Sequence, residues 1–225
     1  MDLINPGYTG GFAGVYVGPY TATINGGTPT AVICDDYFDE SYVPEYWTAD
    51  IIQGSGSLIT TRDATHQISG VSLPTGTALQ QAYDEMGYLA LKLLNTPITD
   101  VNTVGEIHFA LWSIFDPNAL VALNAAAGGT VTSAAVAQLN EAIGAVGKDG
   151  ASNYSSYISQ FTIYSPDASY QYQVCTGTTG CTVANPPQEF LVKAPEAPFF
   201  ALLGVDLSGL GAVIFLLRRR RMSRS

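Results

Sequence analysis

Cys34 and the acidic residues that follow it are the side chains of this sequence best suited to chemistry. Asp35, Asp36, Asp39 and Glu40 come directly after the cysteine. A thiol becomes a nucleophile when a base takes its proton, and clustered carboxylates supply the oxygen ligands that calcium prefers. The EF-hand spacing and its turn glycine are missing, so two alternatives stay open, a calcium site and a solvated acidic loop. The missing spacing favours the loop.

His108 is the candidate base for Cys34. The sequence has only two histidines, and His108 lies in an apolar segment predicted to be a buried helix. We therefore expect a hydrogen-bonded core histidine and, for Cys34, the ordinary role of a small buried hydrophobic residue. With no phosphate loop, zinc-type cysteine pair or GxSxG motif, we predict no catalytic residues, no resident metal and no cofactor.

Cys175 and Cys181 bracket a Gly-Thr-rich turn between two predicted strands. This spacing is compatible with a disulfide across a hairpin in an oxidising compartment. The alternative is a pair of free thiols.

The charges are unevenly distributed along the chain. The net charge is −10, yet five of the nine Lys and Arg residues lie in the last eight positions. The remaining basic residues are Arg62, Lys92, Lys148 and Lys193. An acidic body without a basic patch repels phosphate backbones, so nucleic-acid binding is excluded as a function.

A nineteen-residue apolar segment, 199–217, precedes the basic end of the chain and contains one charge, Asp206. As a helix it would be about 28 Å long, close to the thickness of a bilayer's hydrocarbon core. We predict a transmembrane helix. Arginines after such a helix remain on the cytoplasmic side, so residues 1–193 would face outward. The predicted membrane stop consists of Arg218, Arg219, Arg220 and Arg221.

The last thirty residues resemble the PEP-CTERM sorting signal, in which a Pro-Glu-Pro motif precedes a transmembrane helix and an arginine-rich end. The matching motif is Pro195, Glu196, Ala197 and Pro198, with alanine at the third position and proline one place later. The resemblance implies export and an exosortase-family membrane protease as partner. It also implies anchoring in the inner membrane before cleavage, and then the cell surface or extracellular matrix. The prolines suit cleavage, because they keep the segment extended.

The body has a second resemblance, through the segment around Cys34, the Trp47 region and the ALWSIFDP sequence. It is similar to exported sorting-signal proteins of unknown function and, more distantly, to the thioester domains of Gram-positive adhesins. Those domains join a strand cysteine to a glutamine, whose position here is held by His108. Imidazole cannot form this thioester, so the resemblance implies a shared architecture with a thioester-like remnant. Gln67 and Gln81 are the alternative partners.

The order of predicted elements defines the fold class. Strands are predicted over 11–52 and 160–193, and helices over 77–147. Two helices are expected to begin with capping boxes, at Thr77 and Thr103. This order predicts an α+β fold with a β-sandwich or barrel-like framework and a central helical insertion. Residues 1–193 would form one exported domain, and residues 194–225 the sorting signal with its C-terminal transmembrane helix.

We therefore expect an exported, non-enzymatic protein that acts in adhesion or in an exopolysaccharide matrix, with the polysaccharide or other surface proteins as partners. The alternatives are a secreted hydrolase of matrix polysaccharide and a thioester-type adhesin. Residues 1–14 contain neither a basic residue nor the apolar stretch of a signal peptide. We expect the natural start to lie upstream of Met1.

Overall fold

The structure is a computed structural model, and the chain divides into two units, Met1–Lys193 and Ala194–Ser225. The residues it describes are 1–5, 8–37, 39, 41, 45–65, 72–149, 154–167, 173–175, 181–183 and 187–194. The sorting motif, the apolar segment 199–217 and the arginine-rich end lie outside this range.

Strands occupy both ends of the first unit. The described strands are β1 (Asp2–Asn5), β2 (Tyr8–Phe12), β3 (Val15–Val17), β4 (Tyr20–Thr23), β5 (Thr30–Cys34), β6 (Glu45–Tyr46), β7 (Ala49–Gln53), β8 (Phe161–Pro166), β9 (Gln173–Cys175), β10 (Cys181–Val183) and β11 (Phe190–Lys193). Seven of those described strands form one curled antiparallel sheet in the order β6-β1-β4-β5-β11-β8-β7. The pairs β2–β3 and β9–β10 are separate two-stranded ribbons.

The centre of this sheet joins distant parts of the sequence. β5 pairs with β11, so Cys34 lies opposite Phe190 and Ile33 opposite Leu191. β11 pairs on its other side with β8, and β7 completes that edge. The end of β5 and the start of β11 are therefore held side by side.

The helices lie between β7 and β8 in the chain. They are α1 (Arg62–Thr65), α2 (Thr77–Asn95), α3 (Val101–Trp112), α4 (Asn118–Ala127) and α5 (Gly129–Asp149), followed by a short 3-10 helix (Ile158–Gln160). This arrangement confirms the predicted α+β class. A β-sandwich or barrel-like framework was expected. The described strands form one curled sheet and two two-stranded ribbons.

Both predicted capping boxes are wrong, although both helices exist. Thr77 is already the first residue of α2, whose N-cap is Gly76 with no side-chain cap. α3 begins two residues before Thr103, because the Asp100 side chain accepts a hydrogen bond from the Thr103 N–H. An aspartate at the N-cap performs the role that the sequence pattern assigned to the threonine.

The core forms where the apolar helix faces meet the sheet. In α2, five apolar residues that repeat at helical spacing are all buried: Leu79, Tyr83, Met86, Ala90 and Leu93. α3 is buried over most of its last nine residues, as expected for a helix that is apolar on all sides. Phe12 packs against α3 at Gly105, where an added Cβ would overlap the phenyl ring.

Among the described residues, no helix combines the length and the apolar character that a bilayer span requires. The predicted span 199–217 lies outside the described residues.

Gly87 lets the 3-10 helix approach α2 closely. The Asp84 Oδ1 atom accepts hydrogen bonds from the Tyr157 and Ile158 N–H groups at 2.7 and 2.9 Å. One turn of α2 is thereby attached to the backbone of the 3-10 helix. A Cβ at Gly87 would lie 2.6 Å from the Ile158 nitrogen.

We predict that Gly87→Ala lowers the free energy of unfolding by about 1–3 kcal/mol, because the added methyl overlaps backbone rather than a movable side chain. Gly144→Ala is the matched control, since nothing lies within 4 Å of a Cβ there. In that exposed helical position alanine should instead raise stability by about 0.5–1 kcal/mol. Urea unfolding followed by circular dichroism measures both. Equal effects of the two substitutions would contradict the packing at Gly87.

Candidate functional site

Cys34 ends β5 with its side chain completely buried. The thiol donates a hydrogen bond to the Asp36 carbonyl oxygen, with Sγ and O 3.1 Å apart. Burial raises the pKa of the Cys34 thiol well above its usual value, and the nearby Asp35 and Asp36 raise it further. The sulfur is therefore held as a neutral thiol, the form that is a poor nucleophile.

His108 contacts Cys34 through the backbone and not through the sulfur. The Gly18 N–H donates to Nδ1 of His108 at 2.8 Å, so Nε2 carries the proton and donates to the Cys34 carbonyl oxygen at 2.7 Å. Trp112, one turn further along α3, donates its indole N–H to the same oxygen at 3.2 Å. Gly18 has a φ of +95°, a backbone conformation that favours glycine.

His108 is thus a positioning residue between α3 and the end of β5. Burial lowers its pKa to about 4, and the hydrogen bond to Cys34 opposes this shift only in part. A neutral imidazole with both nitrogens engaged by backbone cannot take a proton from Cys34. The expected core histidine is what the structure places here.

Three residues were considered in connection with a thioester at Cys34: His108, Gln67 and Gln81. The structure brings His108 and Cys34 together, but His108 contacts the Cys34 carbonyl oxygen and not the thiol. Gln81 donates its side-chain N–H to Glu85 on the same helix at 2.8 Å. Gln67 lies outside the described residues.

Three buried carboxyl groups meet beside Cys34. Asp35, Asp63 and Glu189 each offer an oxygen atom, and these atoms lie within 4.8 Å of one another. Their exposed fractions are 1 %, 2 % and 0 %. Asp35 follows β5, Asp63 lies in α1, and Glu189 immediately precedes β11, so three separate segments build the cluster. We call these three residues the carboxylate cluster.

Glu189 is well supplied with hydrogen-bond donors. Its Oε1 atom accepts from the Tyr83 hydroxyl at 2.9 Å, and its Oε2 atom accepts from the Arg62 backbone N–H at 2.6 Å. Ser165 donates a further side-chain hydrogen bond. Burial raises the pKa of Glu189, and these donors oppose that rise. Glu189 is therefore the member of the cluster best able to remain ionised.

Asp35 and Asp63 are less well supplied with hydrogen-bond donors than Glu189. Neither oxygen of Asp63 has a hydrogen-bond donor among the described residues, whereas Asp35 interacts with its own backbone N–H and with Glu189. Burial raises both pKa values well above the usual range, with the charge of Glu189 the next cause for Asp35 and that of Asp35 the next cause for Asp63. When Asp35 is protonated it can donate to Glu189. The cluster therefore needs positive charge, from protons or from a cation.

Arg62 does not supply that charge to Asp35 or Asp63 through a hydrogen bond. Its guanidinium donates to both oxygens of Asp39, with the shorter contact, from Nε to Oδ2, at 2.6 Å. Its backbone N–H is the group that reaches the cluster, at Glu189.

The acidic segment after Cys34 is not a solvated loop. Asp35, Asp36 and Asp39 are all buried, so that interpretation is wrong for these three residues. Glu40, the fourth residue of the sequence-based candidate, lies outside the described residues. Asp63 and Glu189 were missed, because nothing in their local sequences indicates that the chain returns to Cys34. The one local hint that Glu189 is buried was its position directly before the apolar segment 190–192.

Cys175 and Cys181 are directly opposite each other in the β9–β10 ribbon. Directly paired residues of antiparallel strands have Cα atoms about 4.5–5.5 Å apart, a separation that a disulfide can bridge. The backbone register is thus compatible with the predicted bond, which stays a prediction.

An open groove of about 410 Å³ lies elsewhere, between α2 and α5. Its lining residues are Tyr88, Leu91, Lys92, Asn95, Thr96, Glu141 and Tyr157. The Tyr88 hydroxyl and the Lys92 ammonium both donate to Glu141 at 2.6 Å. The hydrogen bond to Glu141 is the main cause that raises the pKa of Tyr88 to about 12. Aromatic rings beside fixed polar groups form a surface suited to a polar ligand.

Comparison of the chain with protein-family models, with curated proteins and with solved structures found no match.

We predict that His108→Gln makes the free energy of unfolding less sensitive to acid. The folded protein holds His108 at a pKa of about 4, below its ordinary 6.5. The unfolded chain therefore binds a proton first as the pH falls through 6.5, and this penalises the folded state. Between pH 7 and pH 4.5 the wild type should lose about 2 kcal/mol relative to the variant.

Chemical denaturation of both proteins at the two pH values measures this difference. The carboxyl groups titrate in both proteins, so their contribution largely cancels in the comparison. A difference that stays constant with pH would show that His108 takes up a proton normally in the folded state.

Proposed function

We propose that this is an exported, surface- or matrix-associated protein without enzymatic activity, processed at a C-terminal PEP-CTERM-type sorting signal. The observation that carries the proposal is the position in the chain at which the first unit ends. β11 finishes at Lys193, and the chain divides between Lys193 and Ala194. The proposed motif, 195–198, begins one residue later. Such a position suits a recognition sequence that a protease must reach without unfolding a sheet.

The tail would act in three parts. Residues 199–217 would form a transmembrane helix, and Arg218 to Arg221 would hold its inner end in the cytoplasm. An exosortase-family protease would cleave near Pro195 and Glu196. The body would then pass from the inner membrane to the cell surface or matrix. The curled sheet would serve as its barrel-like framework.

The body would act by contact with a matrix component, a polysaccharide or another surface protein. The groove between α2 and α5 supports this role, because Tyr88 and Tyr157 bring two aromatic rings beside Lys92 and Glu141. Tyr88 and Tyr157 are perpendicular, with ring centroids 5.2 Å apart. An aromatic surface with polar groups at its edge can cover an apolar face of a sugar and bind its hydroxyls.

The two alternative functions gain less support. A glycoside hydrolase needs two carboxyl groups flanking a substrate, whereas the cluster of Asp35, Asp63 and Glu189 is buried. A thioester adhesin needs an electrophilic bond at Cys34, and this thiol donates to a backbone carbonyl. We therefore propose binding and not chemistry.

We predict that a reporter fused to residues 188–225 loses its C-terminal segment only in cells that contain an exosortase-type protease. A fusion carrying Pro195→Ala and Glu196→Ala should remain uncleaved, because the recognition motif is gone. Ser208→Ala, within the apolar segment, is the control and should be processed normally. Mass spectrometry of the purified fusions shows whether the C-terminal segment has been removed. A fusion that stays intact in both hosts would count against the proposed sorting.

We predict that Tyr157→Ala weakens binding to exopolysaccharide isolated from the producing organism by about fivefold or more, corresponding to roughly 1 kcal/mol. Tyr16→Ala is the matched control, since Tyr16 is a 51 % exposed tyrosine on β3. Co-sedimentation with the insoluble polymer measures both. Equal binding by the two variants would show that the groove between α2 and α5 does not bind the polymer.

A further inference from the structure

We propose that the carboxylate cluster of Asp35, Asp63 and Glu189 binds one calcium ion inside the body of the protein. This inference does not rest on the proposed sorting or matrix function, because it concerns only contacts within Met1–Lys193.

The spacing of the oxygen atoms fits calcium. The three atoms lie within 4.8 Å of one another. Calcium–oxygen distances are about 2.3–2.6 Å, so two ligands on opposite sides of the ion are about 4.6–5.2 Å apart. Magnesium demands near-ideal octahedral geometry and gives up its waters reluctantly, so a buried site built from protein carboxylates suits it less well than calcium. All three donors are carboxylates, which a hard cation prefers over nitrogen or sulfur ligands.

The unpartnered oxygens are the independent observation that points to a ligand. Buried polar atoms nearly always have a hydrogen-bond partner, yet neither oxygen of Asp63, a fully buried side chain of the cluster, has one among the described residues. Glu189 differs because Tyr83 and the Arg62 N–H already contact its two oxygens. With Ser165 as the third donor, three of the roughly four lone-pair sites of the carboxylate are used, so one site remains for an ion.

The neighbouring charges also favour a cation. Asp36 and Asp39 lie close enough to raise the pKa of Asp63 by charge repulsion. The guanidinium of Arg62 is engaged by Asp39. A divalent ion would offset the repulsion that remains among the carboxylates. Protons are the competing occupants, since they neutralise Asp35 and Asp63 without any metal.

The test uses the full-length protein in mild detergent, stripped of metal with EGTA. Isothermal titration with calcium chloride should give one site per chain with a dissociation constant of about 10⁻⁴ M or lower, within the range of protein calcium sites. Addition of 5 mM calcium should raise the Tm by about 5–9 °C. The same concentration of magnesium should raise it by less than half as much.

Two variants assign the effect to the cluster. Asp63→Asn keeps the shape of the side chain and removes its charge, so the calcium-dependent rise in Tm should fall below about 2 °C. Asp50→Asn, an exposed aspartate on β7, is the matched control and should keep the wild-type rise. The EGTA-treated Asp63→Asn protein should be at least as stable as the EGTA-treated wild type, because a neutral amide at this buried position needs neither a proton nor a counter-charge.

Asp35→Asn repeats the test from a second ligand, so the result does not depend on one variant folding well. A wild-type Tm that is the same in calcium and in EGTA would overturn the proposal and assign the cluster to protons. A calcium-dependent rise that persists in either cluster variant would overturn it too, by placing the ion elsewhere.

Discussion

The hydrogen bonds that converge on Glu189 hold the acidic interior of this protein together. They come from the Tyr83 hydroxyl on α2, the Arg62 backbone on α1 and Ser165 on β8. A buried carboxylate is costly without such donors, so these three elements must remain where they are. That requirement holds α1 and α2 against β8 and β11 and brings Asp63 beside Asp35.

A second convergence, at the Cys34 carbonyl, fixes α3 in the same region. His108 and Trp112 occupy successive turns of that helix and donate to one oxygen. Here every buried polar group of the histidine is satisfied. Asp63 differs, because neither of its oxygens has a donor among the described residues. This contrast is the physical basis for giving His108 a structural role and for proposing an ion at the carboxylate cluster.

The parts of the fold that sequence predicted well are those governed by local periodicity. The five apolar positions from Leu79 to Leu93 repeat at helical spacing, and α2 buries all of them. The start of α3 was misread because Asp100, outside the expected box, caps this helix, and the start of α2 was misread because Gly76 precedes it without any side-chain cap. The acidic segment was misread as solvated, since a run of carboxylates gives no sign of the partners that will enclose it.

The sequence by itself determined the α+β class, the position of the helical insertion and the separation of an acidic body from a basic tail. Each of these follows from residue types within a few positions of one another. Only the tertiary structure decided the site. Arg62 and Glu189 are 127 residues apart, and Cys34 and His108 are 74 apart. No local pattern encodes such contacts, because they exist only once β5 and β11 pair and the helices pack against them.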